Sequence, residues 1–301
     1  MDYLYLSLAT VFFAVSSISG NYYNKCTEKW KNVSVLYIIS NLFTVLIFWG
    51  ISYAIDFSFD VRVLPYSVLL GAFFSTAVAG QLYALKHGPV SLTAFLMQLS
   101  LIGTTIWGFF FWDTAFTLFI AVGLALIVIS LFLCLYTKEK QTAVSWKWIG
   151  FTAMAFFGNA GGTITQKTQQ MSFDGQHKTM LMFFAMLFAL VVCLILFVRT
   201  DKKDFSSALK KAWCFPVVTG VTNGFLNLFV MLLAVSTLSP SVVYPVIAVG
   251  GLLITTLYSF FVFKEKLKWW QWLGVFIGAA AVARSCQPFV ALTWKRQVEK
   301  S

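Results

Sequence analysis

Residues 240–274 read PSVVYPVIAVGGLLITTLYSFFVFKEKLKWWQWLG, and a shift of 151 positions (240 minus 89) places them on residues 89–123 without a gap. Four features then coincide: Pro89 with Pro240, Thr104-Thr105 with Thr255-Thr256, Phe109-Phe110 with Phe260-Phe261, and Gly123 with Gly274. Both stretches are apolar enough to cross a bilayer. Because self-similarity at a fixed offset marks a repeated structural unit, the sequence predicts a membrane bundle made of two copies of one unit.

The composition is that of an integral membrane protein. Hydrophobic residues make up 59% of the chain and charged residues 11%, whereas about 25% of the residues of a soluble domain are charged. The mean hydropathy is +0.81. Since a helix needs about 20 apolar residues to span a bilayer, 301 residues leave room for about ten spans and no separate soluble domain.

Composition and motifs exclude several classes of function. The net charge of +11 comes from basic residues at the ends of apolar runs, where they set membrane orientation, so we expect no nucleic-acid partner. The five cysteines form no C-x-x-C pair and predict neither disulfides nor a metal site. The chain has no P-loop, H-E-x-x-H or G-x-S-x-G motif. We therefore expect neither enzymatic activity nor a cofactor.

Apolar runs predict ten transmembrane helices, at 3–24, 32–55, 64–86, 89–111, 115–136, 146–170, 177–198, 212–236, 239–263 and 269–288. Each repeat has five helices, and since five is odd, the second repeat enters the membrane in the opposite orientation. The predicted fold is an all-α integral membrane bundle of two inverted five-helix repeats. They occupy residues 1–140 and 141–290, and a short polar tail follows at 291–301.

Charge in the links predicts the orientation. The odd-numbered links hold fifteen of the 22 lysines and arginines, and positive links tend to stay in the cytoplasm. Both termini would then face outward. We expect a multi-pass protein of the plasma membrane.

Polar residues concentrate in the first, sixth and eighth predicted spans, where helical spacing aligns them in stripes. Any one such residue could instead be a hydrogen bond between helices, the commoner role of a lone Ser, Thr or Asn in a membrane. Three stripes together favour a solvated cavity. The residues predicted to line it, with one each from the fourth and ninth spans, are Ser17, Asn21, Asn159, Thr163, Asn223, Asn227, Gln98 and Tyr244.

Charged residues are almost absent from the interiors of the predicted spans. All eleven aspartates and glutamates lie at helix ends or in links, so no carboxylate is available there to bind a proton or a cationic drug. This favours a facilitator or an exchanger, or coupling through a less usual group such as His87. Lys167 is one of the basic residues closest to a span interior; it either neutralises an anionic solute or extends to the membrane interface, and we expect the latter.

The ninth and tenth spans resemble the repeat of the drug/metabolite transporter superfamily, EamA type. The resemblance rests on a helix that starts at Pro240, an acidic turn at 264–267 (KEKL), and a last helix with Gly274 and Gly278. The first copy repeats the pattern with Pro89, Asp113 and Gly123. The resemblance implies a central cavity lined by the early helices of each repeat. The chain lacks the first-helix glutamate of the small multidrug-resistance branch, and Asp113 and Glu265 are at positions typical of helix caps.

We therefore predict a secondary transporter that moves a small polar metabolite by alternating access through a cavity between the repeats. Neutral cavity residues favour an amino-acid-like or other neutral or zwitterionic solute. The alternative is a non-transporting or lipid-handling membrane protein on the same fold. The expected partners are this small solute and membrane lipids, and the expected state is a monomer or a homodimer.

Overall fold

The computed structural model describes residues 1–30, 33–87, 90–112, 118–135, 145–198, 200, 203–262, 264 and 268–281. Within these ranges the chain is helical and contains no strand, which confirms the all-α class. Several predictions fall outside the described residues: the tail at 291–301, the repeat boundary at 140/141, and the motif positions Pro89, Asp113 and Glu265.

The described helices run in the order α1 (Asp2–Thr27), α2 (Val33–Ile55), α3 (Leu64–His87), α4 (Val90–Phe111), α5 (Leu118–Leu135), α6 (Trp146–Ser172), α7 (Lys178–Val198), α8 (Phe205–Ala212), α9 (Cys214–Ala234), α10 (Pro240–Phe261) and α11 (269–281). Each predicted span overlaps one of them. Helix α8 was not predicted and lies mostly in the link before the eighth span. It is short and amphipathic: Phe205 and Ala208 are buried, whereas Lys210 and Lys211 lie in its last turn. Because it contains no long apolar run, hydropathy does not predict it.

Seven of the described helices are long and apolar enough to cross a membrane: α1, α2, α3 with the turn before it, α4, α7, α9 and α10. In α5 the apolar segment 120–135 is shorter, and α6 is long but carries a polar stripe. The protein is thus a multi-pass membrane protein. The count of ten spans and the inverted relation of the repeats stay predictions.

The helices of one half pack mainly against helices of the other half. The two most extensive interfaces are α3 with α6 and α1 with α9; other large ones are α3–α7, α2–α9, α1–α10 and α4–α6, and α2–α7 joins two corresponding helices. Exchanging the halves (α1 for α6, α2 for α7, α3 for α9, α4 for α10) converts each of these pairs into its counterpart. A two-fold relation between two halves produces such an exchange.

Two glycines bring α3 and α6 into direct backbone contact. A Cβ placed on Gly158 would lie 2.6 Å from the backbone nitrogen of Ala77, and one placed on Gly80 would lie 2.5 Å from that of Ala155. Small residues let membrane helices approach closely. Gly158 and Gly80 therefore set how closely α3 and α6 pack.

One end of the bundle is closed by apolar side chains. The start of α1 meets the α9–α10 link there, since the Thr237 hydroxyl donates a 2.9 Å hydrogen bond to the Asp2 carboxylate. A cluster of buried residues packs behind this contact, which we call the N-terminal cluster: Leu6, Ala9, Leu233, Leu238, Val243, Tyr244, Val246 and Ile247, with Trp112 and Leu101 against it.

Candidate functional site

A polar cavity of about 270 Å³ lies between α1, α3, α4, α6, α9 and α10. Both halves of the chain contribute to its wall. Amide, hydroxyl and phenol groups face it within an otherwise apolar bundle; the polar lining residues are Ser16, Ser17, Gln81, Gln98, Asn159, Thr163, Gln166, Asn223, Asn227 and Tyr244.

Seven of the eight predicted site residues line this cavity: Ser17, Gln98, Asn159, Thr163, Asn223, Asn227 and Tyr244. Asn21 does not belong to the lining. It lies one turn beyond Ser17 on α1, at a half-buried position. A stripe gives the face of a helix that is polar, but how far along this face the cavity reaches depends on the neighbouring helices.

Amides from α6 and α9 form one hydrogen-bonded chain across the cavity wall. The Gln166 amide nitrogen donates to Asn227 Oδ1 at 2.9 Å. The Asn227 amide nitrogen in turn donates to Asn223 Oδ1 at 2.7 Å and to the Asn223 carbonyl at 2.9 Å. In a low-dielectric interior such a network holds its side chains in fixed orientations. The two asparagines thus enter the cavity already oriented.

Asn159 is held from the opposite side. Its amide nitrogen donates a 2.5 Å hydrogen bond to the Ser100 hydroxyl of α4, and the Thr163 hydroxyl donates to the Asn159 carbonyl at 3.1 Å. The Asn159 side-chain oxygen accepts no hydrogen bond from the residues that the structure describes, and Asn159 belongs to the cavity lining. Ser100 was not predicted as part of the site, since a lone serine in an apolar span gives no distinguishing signal.

Several other polar lining residues have no partner within the described chain. The side chains of Ser17, Gln81 and Gln98 make no hydrogen bond with any residue that the structure describes, and the same holds for Ser16 and Tyr244. Polar groups inside a membrane bundle need a partner or water. These groups are therefore available to water or to a bound solute. The cavity asparagines, in contrast, are held in place by hydrogen bonds within the bundle.

Apolar side chains complete the wall and escaped prediction. Phe13, Phe74, Met97, Leu101, Leu226 and Val230 belong to the lining. The chain contains 32 phenylalanines, so no sequence signal separates a ring in the cavity from one in the lipid.

Other polar residues of α1 and α9 join helices instead. The Tyr37 hydroxyl of α2 donates to Thr219 Oγ1 at 2.8 Å, and the Ser19 hydroxyl donates to the Phe215 carbonyl at 2.8 Å. These two hydroxyls form hydrogen bonds between helices and do not line the cavity.

Lys167 does not reach the membrane interface as expected. Its side chain is only 7% exposed, and its ammonium lies 5.0 Å from the centre of the Trp112 ring. An aromatic face attracts a cation, so the ammonium lies against a ring within the bundle. Interface extension was therefore the wrong expectation for this residue.

Residues 140–285 match the model of the EamA-like transporter family, part of the drug/metabolite transporter superfamily. The matched segment is the second half of the chain, and it is similar to the EamA family. The resemblance inferred from the sequence is thereby confirmed. EamA proteins are membrane transporters rather than enzymes.

A solved crystal structure supports the same architecture over the whole chain. It superimposes with a TM-score of 0.70 at 11% sequence identity, and the match covers 98% of each chain. At that identity the likeness concerns the fold alone. No curated protein matches the chain in sequence.

The EamA pattern also agrees with which helices build the cavity. Its described lining comes from α1, α3 and α4 of the first half and α6, α9 and α10 of the second, and none comes from α5 or α11. Gly274, a motif residue on α11, packs instead against α5, where an added Cβ would lie 2.9 Å from the Cys134 nitrogen.

Proposed function

We propose that this EamA-type protein is a secondary transporter of the plasma membrane that carries a small polar metabolite, amino-acid-like or otherwise neutral or zwitterionic. The observation that carries the proposal is the polar cavity, to which both halves of the chain contribute amides and hydroxyls. A solute bound there contacts both repeats, so a relative movement of the repeats changes its exposure. Alternating access works by such a movement.

The hydrogen-bonding groups suit a solute with both donors and acceptors. Ser17, Gln81 and Gln98 offer amide and hydroxyl groups without partners in the described chain, and Asn159 offers an amide oxygen. Phe13 and Phe74 provide apolar contact beside them. This combination supports a compact metabolite with one polar and one apolar part.

The N-terminal cluster supports access from one side at a time. Tyr244 and Ile247 belong both to this cluster and to the cavity wall. Apolar packing there keeps water out of that end, as a closed gate requires. Opening would separate the start of α1 and α10 from α4.

Thermal unfolding of the purified protein with candidate solutes is the first test. Amino acids, quaternary amines, nucleotide sugars and sugar phosphates are added one at a time, because a ligand at 100 times its Kd adds about 2.7 kcal/mol of stability. We expect a selective rise with one class of small polar metabolite. Stabilisation by particular lipids alone would contradict the proposal.

Flux into proteoliposomes then tests the site. Asn159→Leu removes the amide that faces the cavity and should abolish uptake of the stabilising solute. Thr165→Val is the matched control on α6, since this hydroxyl bonds its own helix at the Gly161 carbonyl and does not line the cavity. Uptake that survives in Asn159→Leu would remove this residue from the site.

One observation keeps the lipid-handling alternative open to test. An apolar groove of about 240 Å³ between α4 and α6 is lined by Leu96, Trp148, Ile149, Thr152, Ala153, Phe156 and Phe157. Asn159→Cys and Asn223→Cys, in a chain whose five native cysteines are replaced, separate the two functions. A carrier's cavity admits water, so charged aqueous reagents should label both positions; failure at both would favour lipid.

A further inference from the structure

We propose that the transported solute carries a carboxylate, whose charge is balanced by the buried ammonium of Lys167. This inference rests on the proposed transport function and names the chemical class of its solute. It begins from a buried ammonium group that has no anion beside it among the residues that the structure describes.

Lys167 is a buried cation with no counter-charge in the described chain. Its side chain is 7% exposed, and among the residues that the structure describes it forms no ion pair. The Trp112 ring, 5.0 Å from the ammonium, is the contact that the structure assigns to it. A ring face compensates only part of the hydration that a buried ammonium loses. Unpaired ionisable groups inside membrane proteins usually serve the substrate pathway.

The position of Lys167 places this charge directly behind the cavity wall. Lys167 follows Gln166 in the chain and lies one helical turn after Thr163, and both of these residues line the cavity. Trp112 packs in the N-terminal cluster with Tyr244 and Leu101, which also belong to the lining. The ammonium thus lies beside the closed end of the cavity.

The described lining of the cavity does not offset this charge. It includes no aspartate, glutamate, lysine or arginine. In a low-dielectric interior a charge is felt over several ångströms, so Lys167 gives the closed end of the cavity a positive potential. A carboxylate there is attracted, whereas a cationic amine without a carboxylate is repelled.

The neutral groups suit the rest of such a solute. The hydroxyl of Ser17 and the amides of Gln81 and Gln98 offer both donors and acceptors to the part of the solute that lies away from Lys167, and the amide oxygens accept hydrogen bonds from an ammonium. A zwitterionic amino acid therefore binds with its carboxylate toward α6. A quaternary amine lacks the group that Lys167 attracts.

The test compares carboxylates with their carboxamides. Alanine, serine, leucine and glutamine, each beside its own amide, are measured by thermal unfolding of the full-length protein in detergent, together with the panel described above. We expect at least one carboxylate to stabilise the protein and its carboxamide to bind about tenfold more weakly. This comparison uses the unaltered protein, so it does not depend on any variant folding.

Variants of Lys167 give the second measurement. Lys167→Met keeps the length of the side chain and removes its charge, and we expect it to bind the carboxylate about tenfold more weakly while its affinity for the carboxamide stays the same. Lys167→Arg should restore most of the carboxylate affinity. Lys147→Met removes an exposed lysine from the same helix and should change neither.

The outcomes separate this inference from the function on which it rests. Equal binding of carboxylates and carboxamides, or binding confined to panel members without a carboxylate, overturns the role of Lys167 and leaves the carrier in place. Full carboxylate affinity in Lys167→Met does the same. If no soluble compound binds the unaltered protein, both proposals are wrong.

Discussion

The two largest interfaces of the bundle, α3–α6 and α1–α9, are counterparts under exchange of the halves, yet they are made of different chemistry. In α3–α6, Gly80 and Gly158 bring backbone against backbone. In α1–α9, rings meet instead: Phe12 stacks on Phe225 with centroids 5.1 Å apart, and Tyr22 stacks on Phe215 at 5.6 Å. The two interfaces thus join corresponding helices, but through unrelated side chains.

This difference teaches how each interface responds to change. A backbone contact has no rotatable bond with which to absorb an added atom, so α3–α6 has one fixed separation. Stacked rings shift and tilt at small cost, so α1–α9 is adjustable. If the repeats move during transport, we expect α3–α6 to move as one body and α1–α9 to supply more of the sliding.

The largest expected effect comes from one methyl group at the glycine interface. Gly158→Ala places a Cβ 2.6 Å from the Ala77 nitrogen and 2.8 Å from the Phe73 carbonyl oxygen, and overpacking of this kind costs about 2–3 kcal/mol. We expect a clear fall in the midpoint of thermal unfolding. Gly150→Ala is the control on the same helix, since nothing lies within 4 Å of its Cβ position. Gly150→Ala should be slightly stabilised by the higher helix propensity of alanine. Equal stability of the two variants would contradict a fixed backbone contact at Gly158.

A moderate effect is expected at the aromatic interface. Phe12→Ala removes a ring that stacks on Phe225 and on Phe229, the latter at 5.8 Å, and such pairs contribute about 0.5–1.5 kcal/mol each beyond the area they bury. The unfolding midpoint should fall less than in Gly158→Ala. Phe110→Ala, at a position 78% exposed on the outside of α4, serves as the comparison and should change little. A larger loss at Phe12 than at Gly158 would reverse the ranking of the two interfaces.

A smaller effect is expected where α2 joins α9. Tyr37→Phe deletes the hydroxyl that donates to Thr219 Oγ1 at 2.8 Å, and hydrogen bonds between membrane helices are worth about 0.6 kcal/mol on average. Tyr53→Phe is the matched control, because the described contacts of Tyr53 are those of its ring with Phe57, Phe183 and Phe184. A difference between the two variants in chemical denaturation measures the hydrogen bond alone, and identical curves would assign it no weight.

The smallest effect concerns the loop that leads into α3. The Arg62 guanidinium holds the pKa of Asp60 at about 2, below its ordinary value of 3.8, through side-chain and backbone hydrogen bonds. Because the folded pKa is the lower one, this stabilisation is present above pH 3.8 and is lost as the pH falls toward 2. Asp60→Asn should abolish that small pH-dependent increment. The Arg62 side chain is 77% exposed, so solvent screens the pair. We expect a slight shift in the midpoint of unfolding between pH 4 and 2, and an unchanged profile would contradict it.

Hydropathy predicted where the helices lie, because a long apolar run has few alternatives in a membrane. It missed α8, whose eight residues are amphipathic rather than apolar. The counterpart interfaces were beyond prediction as well. The repeat at an offset of 151 indicates duplication, but it does not say that Gly158 meets Ala77 while Phe12 meets Phe225.

The cavity was largely predictable, since spacing along a helix defines its polar face. This was sufficient for Asn159 and Thr163 on α6 and for Asn223 and Asn227 on α9. It failed for Asn21 because the extent of a cavity depends on neighbouring helices. It also failed for Lys167, since whether a lysine extends to water depends on what lies above it, and here that residue is Trp112.

The pairing of helices across the halves has a consequence for how the protein is synthesised and inserted into the membrane. Helix α1 ends at Thr27 and its main partner α9 begins at Cys214, so at about 5–20 residues per second the ribosome needs about 10–40 s to supply that partner. Through this interval the Ser17 hydroxyl is in the bilayer or its insertion machinery without the wall that later surrounds it. Each early helix must therefore stay in the insertion machinery or the bilayer without its partner during synthesis. The unfinished chain is open to degradation until translation supplies that partner.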